Sequence, residues 1–233
     1  MIQGILFDKD GTLLDFNKTW LTPYLDAADY LAASVGRPEL AEEMMRDGGY
    51  IAETQGWVAD SLLASGSNQQ VIDFWSSKLG ITVEGERLTE VRQIFARAKD
   101  HFALVLDDMP GFLQEMKDRG IKLGVATMDD ERNARGMLDH LGLSEYFDFV
   151  CGADSGYGVK PEPGMVLGFC EQCGLTPEEV MMVGDSPRDV NMGTNAGAGM
   201  TVGVLTGAHQ REELSRHAQY VLDIKILTKP KVI

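Results

Sequence analysis

The tightest constraint on this chain is the stretch from Ile2 to Thr12, where a nearly continuous apolar run ending at Phe7 gives way to Asp8-Lys9-Asp10-Gly11-Thr12. Such a run reads as a strand buried on both faces, the kind found inside a parallel sheet. Residues two apart at a strand's end point to the same side. Asp8 and Asp10 therefore converge just beyond its carboxyl end, where open α/β sheets bind their ligands. Gly11 permits a turn that a residue with a Cβ would resist.

Two like charges held that close call for a cation. A hard divalent ion with oxygen ligands answers the need, and Mg²⁺ is the expected one beside a phosphate. With the cation bound, Asp8 stays ionised and can attack phosphorus, while Asp10 can give a proton to the leaving oxygen and later take one from water. An Asp-x-Asp-Gly turn that only caps a strand reads these residues equally well when they are taken alone. Taken with Thr12, however, Asp8-x-Asp10-Gly11-Thr12 resembles the first motif of the haloacid dehalogenase superfamily, in its phosphatase branch.

From Asp15 to about Asp107 the pattern is helical. Trp20, Tyr24, Ala27, Ala28 and Leu31 recur at three- and four-residue steps, as on an amphipathic helix. Further helices are expected around residues 40–45, 58–63, 71–79 and 91–98. The expectation is an all-helical insert over residues 15–107, set into an α/β core made of residues 1–14 and 108–233. Asp108-Met109-Pro110 opens a helix with Asp108 as N-cap and proline in the first turn. Strands then read at 121–126, 146–151, 180–183, 200–205 and 220–222, and helices at 130–140, 165–173, 188–196 and 210–216. Thr176-Pro177-Glu178-Glu179 is a capping box that starts a single turn. The alternation predicts an α/β fold, a doubly wound, mostly parallel, Rossmann-like sheet.

Three later positions carry chemistry. Thr127 ends a core strand, where a hydroxyl and the following backbone N–H, that of Met128, can receive phosphate oxygens; a threonine there is more often only a cap. Lys160 lies in Gly158-Val159-Lys160-Pro161-Glu162-Pro163, a loop stiffened by two prolines. A lysine so placed can neutralise both a nucleophile and a phosphoryl group. In Gly184-Asp185-Ser186-Pro187-Arg188-Asp189 the two outer carboxylates lie four apart at a strand-to-helix turn. Both can face Asp8 and Asp10 across neighbouring strand ends, as an all-oxygen site suited to Mg²⁺. These stretches resemble the second, third and fourth motifs of the superfamily, in order. The departures are Met128 where Asn commonly follows the Thr, Lys9 where an apolar residue is usual, and Asp15-Phe16-Asn17 in place of the commoner Asp-Ser.

The resemblance implies a Mg²⁺-dependent phosphatase with Asp8 as nucleophile, Asp10 as general acid/base, and Thr127 and Lys160 as stabilisers. Gly11, Thr12, Met128, Thr127 and Lys160 would hold the phosphate. Asp8, Asp10 through its backbone carbonyl, and Asp185 would hold the metal, with Asp189 acting directly or through water. The founding dehalogenases lack an Asp at the place of Asp10 and need no metal, so phosphate-ester hydrolysis is the implied reaction. Phosphoglycolate phosphatases are the nearest likeness in length, insert placement and motif spacing. The implied partner is a small phosphorylated metabolite, met by a monomer or homodimer. A sugar-phosphate mutase or a non-catalytic binding protein on the same core are the alternatives. The insert would be a helical cap that reads the substrate, with Lys18, Arg46 and Trp57 as specificity candidates.

Composition narrows the partners further. The formal charge of −15 over 233 residues argues against nucleic acid, which needs a basic surface. It also means that a metal and a few local cations must reverse the field where an anionic substrate binds. There is no run of about 18 apolar residues to span a membrane. A first strand at Ile2 leaves no room for a secretory signal. Three cysteines without framework spacing fit a reducing cytoplasm. The pair in Cys170-Glu171-Gln172-Cys173 reads as packing rather than redox chemistry.

Overall fold

A computed structural model describes residues 1–224. It forms two compact units: Met1–Asp15 with the chain from Leu104 onward, and Phe16–Ala103. The last residues of the expected core, 225–233, lie outside the described residues. In chain order the strands are β1 (Gly4–Phe7), β2 (Tyr50–Ile51), β3 (Gly56–Trp57), β4 (Lys122–Ala126), β5 (Phe149–Cys151), β6 (Val180–Gly184), β7 (Met200–Val204) and β8 (Tyr220–Leu222). The α-helices are α1 (Phe16–Ser34), α2 (Leu40–Asp47), α3 (Leu62–Ser65), α4 (Asn68–Leu79), α5 (Gly85–Ala96), α6 (Met109–Asp118), α7 (Glu131–His140), α8 (Gly164–Cys173), α9 (Pro187–Ala196) and α10 (Arg211–Leu214).

The first unit is a parallel sheet in the order β5-β4-β1-β6-β7-β8. The apolar run after Gln3 makes β1, buried on both faces as a central parallel strand must be. Leu6 faces one layer, with Met165 and Phe169 of α8 and Met192 of α9. Phe7 faces the other, edge-on to Phe112 of α6 and to Phe147, with ring centroids 6.4 and 6.5 Å away. The register sets Phe7 beside Val125 of β4 and Val183 of β6, so the carboxyl ends of three strands finish level. The chain winds from β1 through β4 to β5 on one side, then crosses to β6, β7 and β8 on the other. The order thus reverses beside β1, the place where such sheets bind ligands.

The predicted caps form where the residues can make them. The Asp108 carboxylate accepts from Gly111 N at 3.0 Å at the start of α6, and the Thr176 box closes one 3₁₀ turn, Pro177–Glu179. Two expectations change. The strand expected over 146–151 is only β5, because Ser144–Tyr146 coils into a 3₁₀ turn. The insert is not all-helical: after α2 the chain folds back as the antiparallel pair β2–β3, and the helix expected from Val58 begins only at Leu62. Tyr50 and Trp57 sit opposite each other in that pair, their rings 5.1 Å apart, a cross-strand aromatic contact that favours strand over helix. Tyr24 of α1 then packs its ring against Trp57, Trp75 and Phe95, forming the aromatic centre of the second unit. Among the described residues no helix is long and apolar enough to cross a membrane.

Candidate active site

Asp8, Thr127 and Asp185 of the α/β unit are each delivered by the end of a strand. Asp8 follows β1, and its backbone N–H still donates to Val183 of β6, at 2.9 Å. Thr127 follows β4 and is buried, its N–H donating to Cys151 at 3.0 Å. Asp185 follows β6. Asp189 comes from the first turn of α9, where Ser186 and Asp189 form a reciprocal capping box. In that box the Asp189 Oδ2 accepts from the Ser186 hydroxyl at 2.6 Å and from its N–H at 3.0 Å. Lys160 reaches in from the loop before α8, with only 2% of its surface exposed.

The lysine ties the group together. Its Nζ donates to Asp8 Oδ1 at 2.5 Å and to Asp189 Oδ1 at 2.6 Å. Asp8, Asp185 and Asp189 bring carboxylate oxygens within 4.8 Å of one another. The side chain of Asp10 lies outside that trio; its carboxylate is ion-paired to Lys9 at 2.9 Å. Burial pushes the Asp8 carboxyl up to about 7; Lys160 pulls it down, and the neighbouring charge of Asp189 pushes it up again. Burial also raises Asp185, helped by Asp8 and Asp189. Lys160 shifts upward too: burial alone would lower it, but the charges of Asp189 and Asp8 outweigh that. Three carboxylates and one ammonium leave a net negative charge that a hard divalent cation would offset. The donor set fits such an ion, because every ligand is an oxygen and the buried Asp8 Oδ2 has no hydrogen-bond partner.

Gly11 and Thr12 form the turn beyond Asp10, with Gly11 at φ 82°, a left-handed conformation suited to glycine. The Thr12 hydroxyl is buried without a partner. Met128 is half-buried beside Thr127. The loop after β7 is a feature the sequence reading passed over. There Thr206 donates its hydroxyl to the Gly11 carbonyl at 2.5 Å. At Gly207 a Cβ would lie 1.6 Å from Asp185 Oδ2. The segment Leu205-Thr206-Gly207 ends a strand as the other motifs do, which is the one local signal that could have marked it. In the helical unit, Lys18 and Arg46 are exposed, whereas Trp57 is buried, its Nε1 donating to Asn17 Oδ1 at 3.2 Å.

The family model of haloacid dehalogenase-like hydrolases matches residues 2–197. The chain belongs to the haloacid dehalogenase-like hydrolases. Relatives of this hydrolase include the phosphoglycolate phosphatase 1 of Pseudomonas aeruginosa, 30% identical over 217 residues, covering 90% of this chain and 73% of that protein. The N-acetylmuramic acid 6-phosphate phosphatase of the same organism is 26% identical over 220 residues, covering 93% and 87%. Among solved structures, a Thermotoga maritima protein provisionally assigned as a beta-phosphoglucomutase superposes with a TM-score of 0.73 at 23% identity, covering 97% of this chain and 96% of that one. That likeness speaks for the fold alone. Within the family, this hydrolase is of the phosphatase branch and phosphoglycolate phosphatase-like.

Proposed function

We propose that this hydrolase is a Mg²⁺-dependent phosphatase of small phosphomonoesters that works through an aspartyl-phosphate on Asp8. The observation that carries the reading is the buried trio Asp8, Asp185 and Asp189 around Lys160, with Asp8 Oδ2 left unpartnered. Asp8 attacks phosphorus, forming the Asp8–phosphorus bond as the ester oxygen leaves. Asp10 gives that oxygen its proton and then takes one from the water that hydrolyses the aspartyl-phosphate. Lys160, the Thr127 hydroxyl and the backbone N–H groups of Met128, Gly11 and Thr12 receive the phosphoryl oxygens. Asp8, the Asp10 carbonyl and Asp185 would hold Mg²⁺, with Asp189 acting directly or through water; the ion supplies positive charge for the phosphoryl oxygens and keeps Asp8 ionised.

The division of labour we propose gives the chemistry to the α/β unit and substrate choice to the helical one, with Lys18, Arg46 and Trp57 as its reading residues. The three free thiols support a reducing compartment, the cytoplasm. The protein would act as a monomer or homodimer.

Phosphate release from 4-nitrophenyl phosphate and a panel including 2-phosphoglycolate and N-acetylmuramic acid 6-phosphate tests the reading. Release is expected with Mg²⁺, none with chelator, and a loss of roughly 10⁴-fold or more in Asp8→Asn. A sugar phosphate isomerised without phosphate release would replace the phosphatase with a mutase. Release that survives Asp8→Asn would overturn the covalent route.

A further inference from the structure

Lys9 stands between Asp8 and Asp10 in sequence, yet its side chain is turned into the protein, with 2% of its surface exposed. Its Nζ lies 2.9 Å from Asp10 Oδ2 and 3.0 Å from Asp129 Oδ2. The root of the side chain is fixed, because the Lys9 carbonyl accepts the Leu13 and Leu14 amides at 2.9 and 3.0 Å. Asp129 is held as well. Its Oδ1 accepts from Asn133 Nδ2 and from Asp130 N, both at 2.8 Å. Its own amide donates to Thr127 Oγ1 at 3.1 Å.

One buried ammonium therefore ties the turn after β1 to the turn after β4, the two segments that contribute Asp10 and Thr127. An exposed ion pair would fix little, since solvent and side-chain freedom would loosen it. Here the ammonium is buried, with its carboxylates only 23% and 25% exposed and Asp129 held by its own hydrogen bonds, so fewer arrangements are open to it. The apolar residue usual at this place in the resembling phosphatases could make neither contact. Met128, standing where an Asn side chain commonly helps frame the second turn, provides no polar side chain of its own. The Lys9–Asp129 pair links that turn to the first by another route.

We propose that Lys9 is a positioning residue for proton transfer by Asp10. It fixes that carboxylate through Oδ2 and, by way of Asp129, locks it in register with the Thr127 turn. The inference rests on the phosphatase reading above. Its signature is dependence on the leaving group. An ester whose leaving group departs as a stable anion needs no proton from Asp10, whereas an alkyl ester does.

The experiment compares kcat/KM for 2,4-dinitrophenyl phosphate with that for the alkyl ester of the panel turned over fastest, in wild type, Lys9→Met and Asp129→Asn, all with Mg²⁺. In Lys9→Met the alkyl ester is expected to lose roughly a hundredfold and the dinitrophenyl ester less than about tenfold. Asp129→Asn shifts the ratio the same way by a smaller factor. Equal losses for both esters in Lys9→Met would make Lys9 a structural residue only and overturn the proposal. Should Lys9→Met not fold, Asp129→Asn decides, and an unchanged ratio there overturns it. If wild type releases phosphate from no ester, the phosphatase reading falls and takes this inference with it. An active wild type with an unmoved ratio sinks the inference alone.

Discussion

Lys160 and Lys9 are the buried lysines among the described residues, and each lies between two carboxylates. Removing one partner of a buried pair leaves the other without its counter-charge, which costs more than the pair contributed. Lys160→Met is therefore expected to lose about 3–5 kcal/mol of stability in chelator, read by urea unfolding, with part of the loss restored by Mg²⁺. No restoration would mean that the carboxylate trio does not take the ion. Gly207→Ala tests the same trio from outside. Its Cβ would press on Asp185 Oδ2, so roughly ten- to a hundredfold weaker Mg²⁺ affinity is expected, measured by the Mg²⁺ dependence of Tm, with little change in Tm under chelator. At this scale the sequence was legible where a residue ends a strand, because its neighbours declare its place. Asp8, Thr127 and Asp185 were singled out that way. Asp129 and Gly207 were not, since their partners, Lys9 and Asp185, are set by the register between strands rather than by any local pattern.

At the scale of elements, α9 couples a cap to the candidate site. Ser186 both starts the helix and holds Asp189 Oδ2. Ser186→Ala is expected to cost about 1 kcal/mol in urea unfolding, and also to slow phosphate release because the Asp189 carboxylate loses one of its three hydrogen bonds. A loss of stability with unchanged kcat would restrict Ser186 to capping. In the helical unit, Lys18→Ala and Arg46→Ala are expected to reorder the ester panel while leaving the rate on 4-nitrophenyl phosphate within about threefold, since exposed substitutions perturb the fold little. An unchanged ranking in both would remove them as reading residues. The helices of that unit were legible from their periodicity. The β2–β3 pair was not, because two-residue strands leave no alternation to read and the pairing of Tyr50 with Trp57 exists only once the turn has closed.

For the molecule as a whole, the core thiols bear on stability at high pH. Burial pushes Cys151 up to about 12 from its ordinary 9.0. As pH rises past the ordinary value the unfolded chain ionises this thiol and the folded one does not, so its contribution is intact below that pH and is lost progressively toward the raised value. Near pH 10.5 this amounts to about 2 kcal/mol. Cys151→Ala should accordingly show a flatter decline in urea midpoint between about pH 9 and 10.5 than wild type; parallel declines would rule the thiol out as the cause. The parallel sheet was legible from the alternation of elements, but not its strand order or which strand would lie at its centre. That place belongs to β1, the strand that carries Asp8. On the ribosome β1 is made first, while its two neighbours, β4 and β6, appear only after the whole helical unit has been synthesised. During that interval the apolar stretch that forms β1 has no partner for its backbone, and pairings of such sequence separation form slowly. A chain released before Gly184 would hold Asp8 without the strand that completes its surroundings, so an interrupted translation product lacks the assembled candidate site.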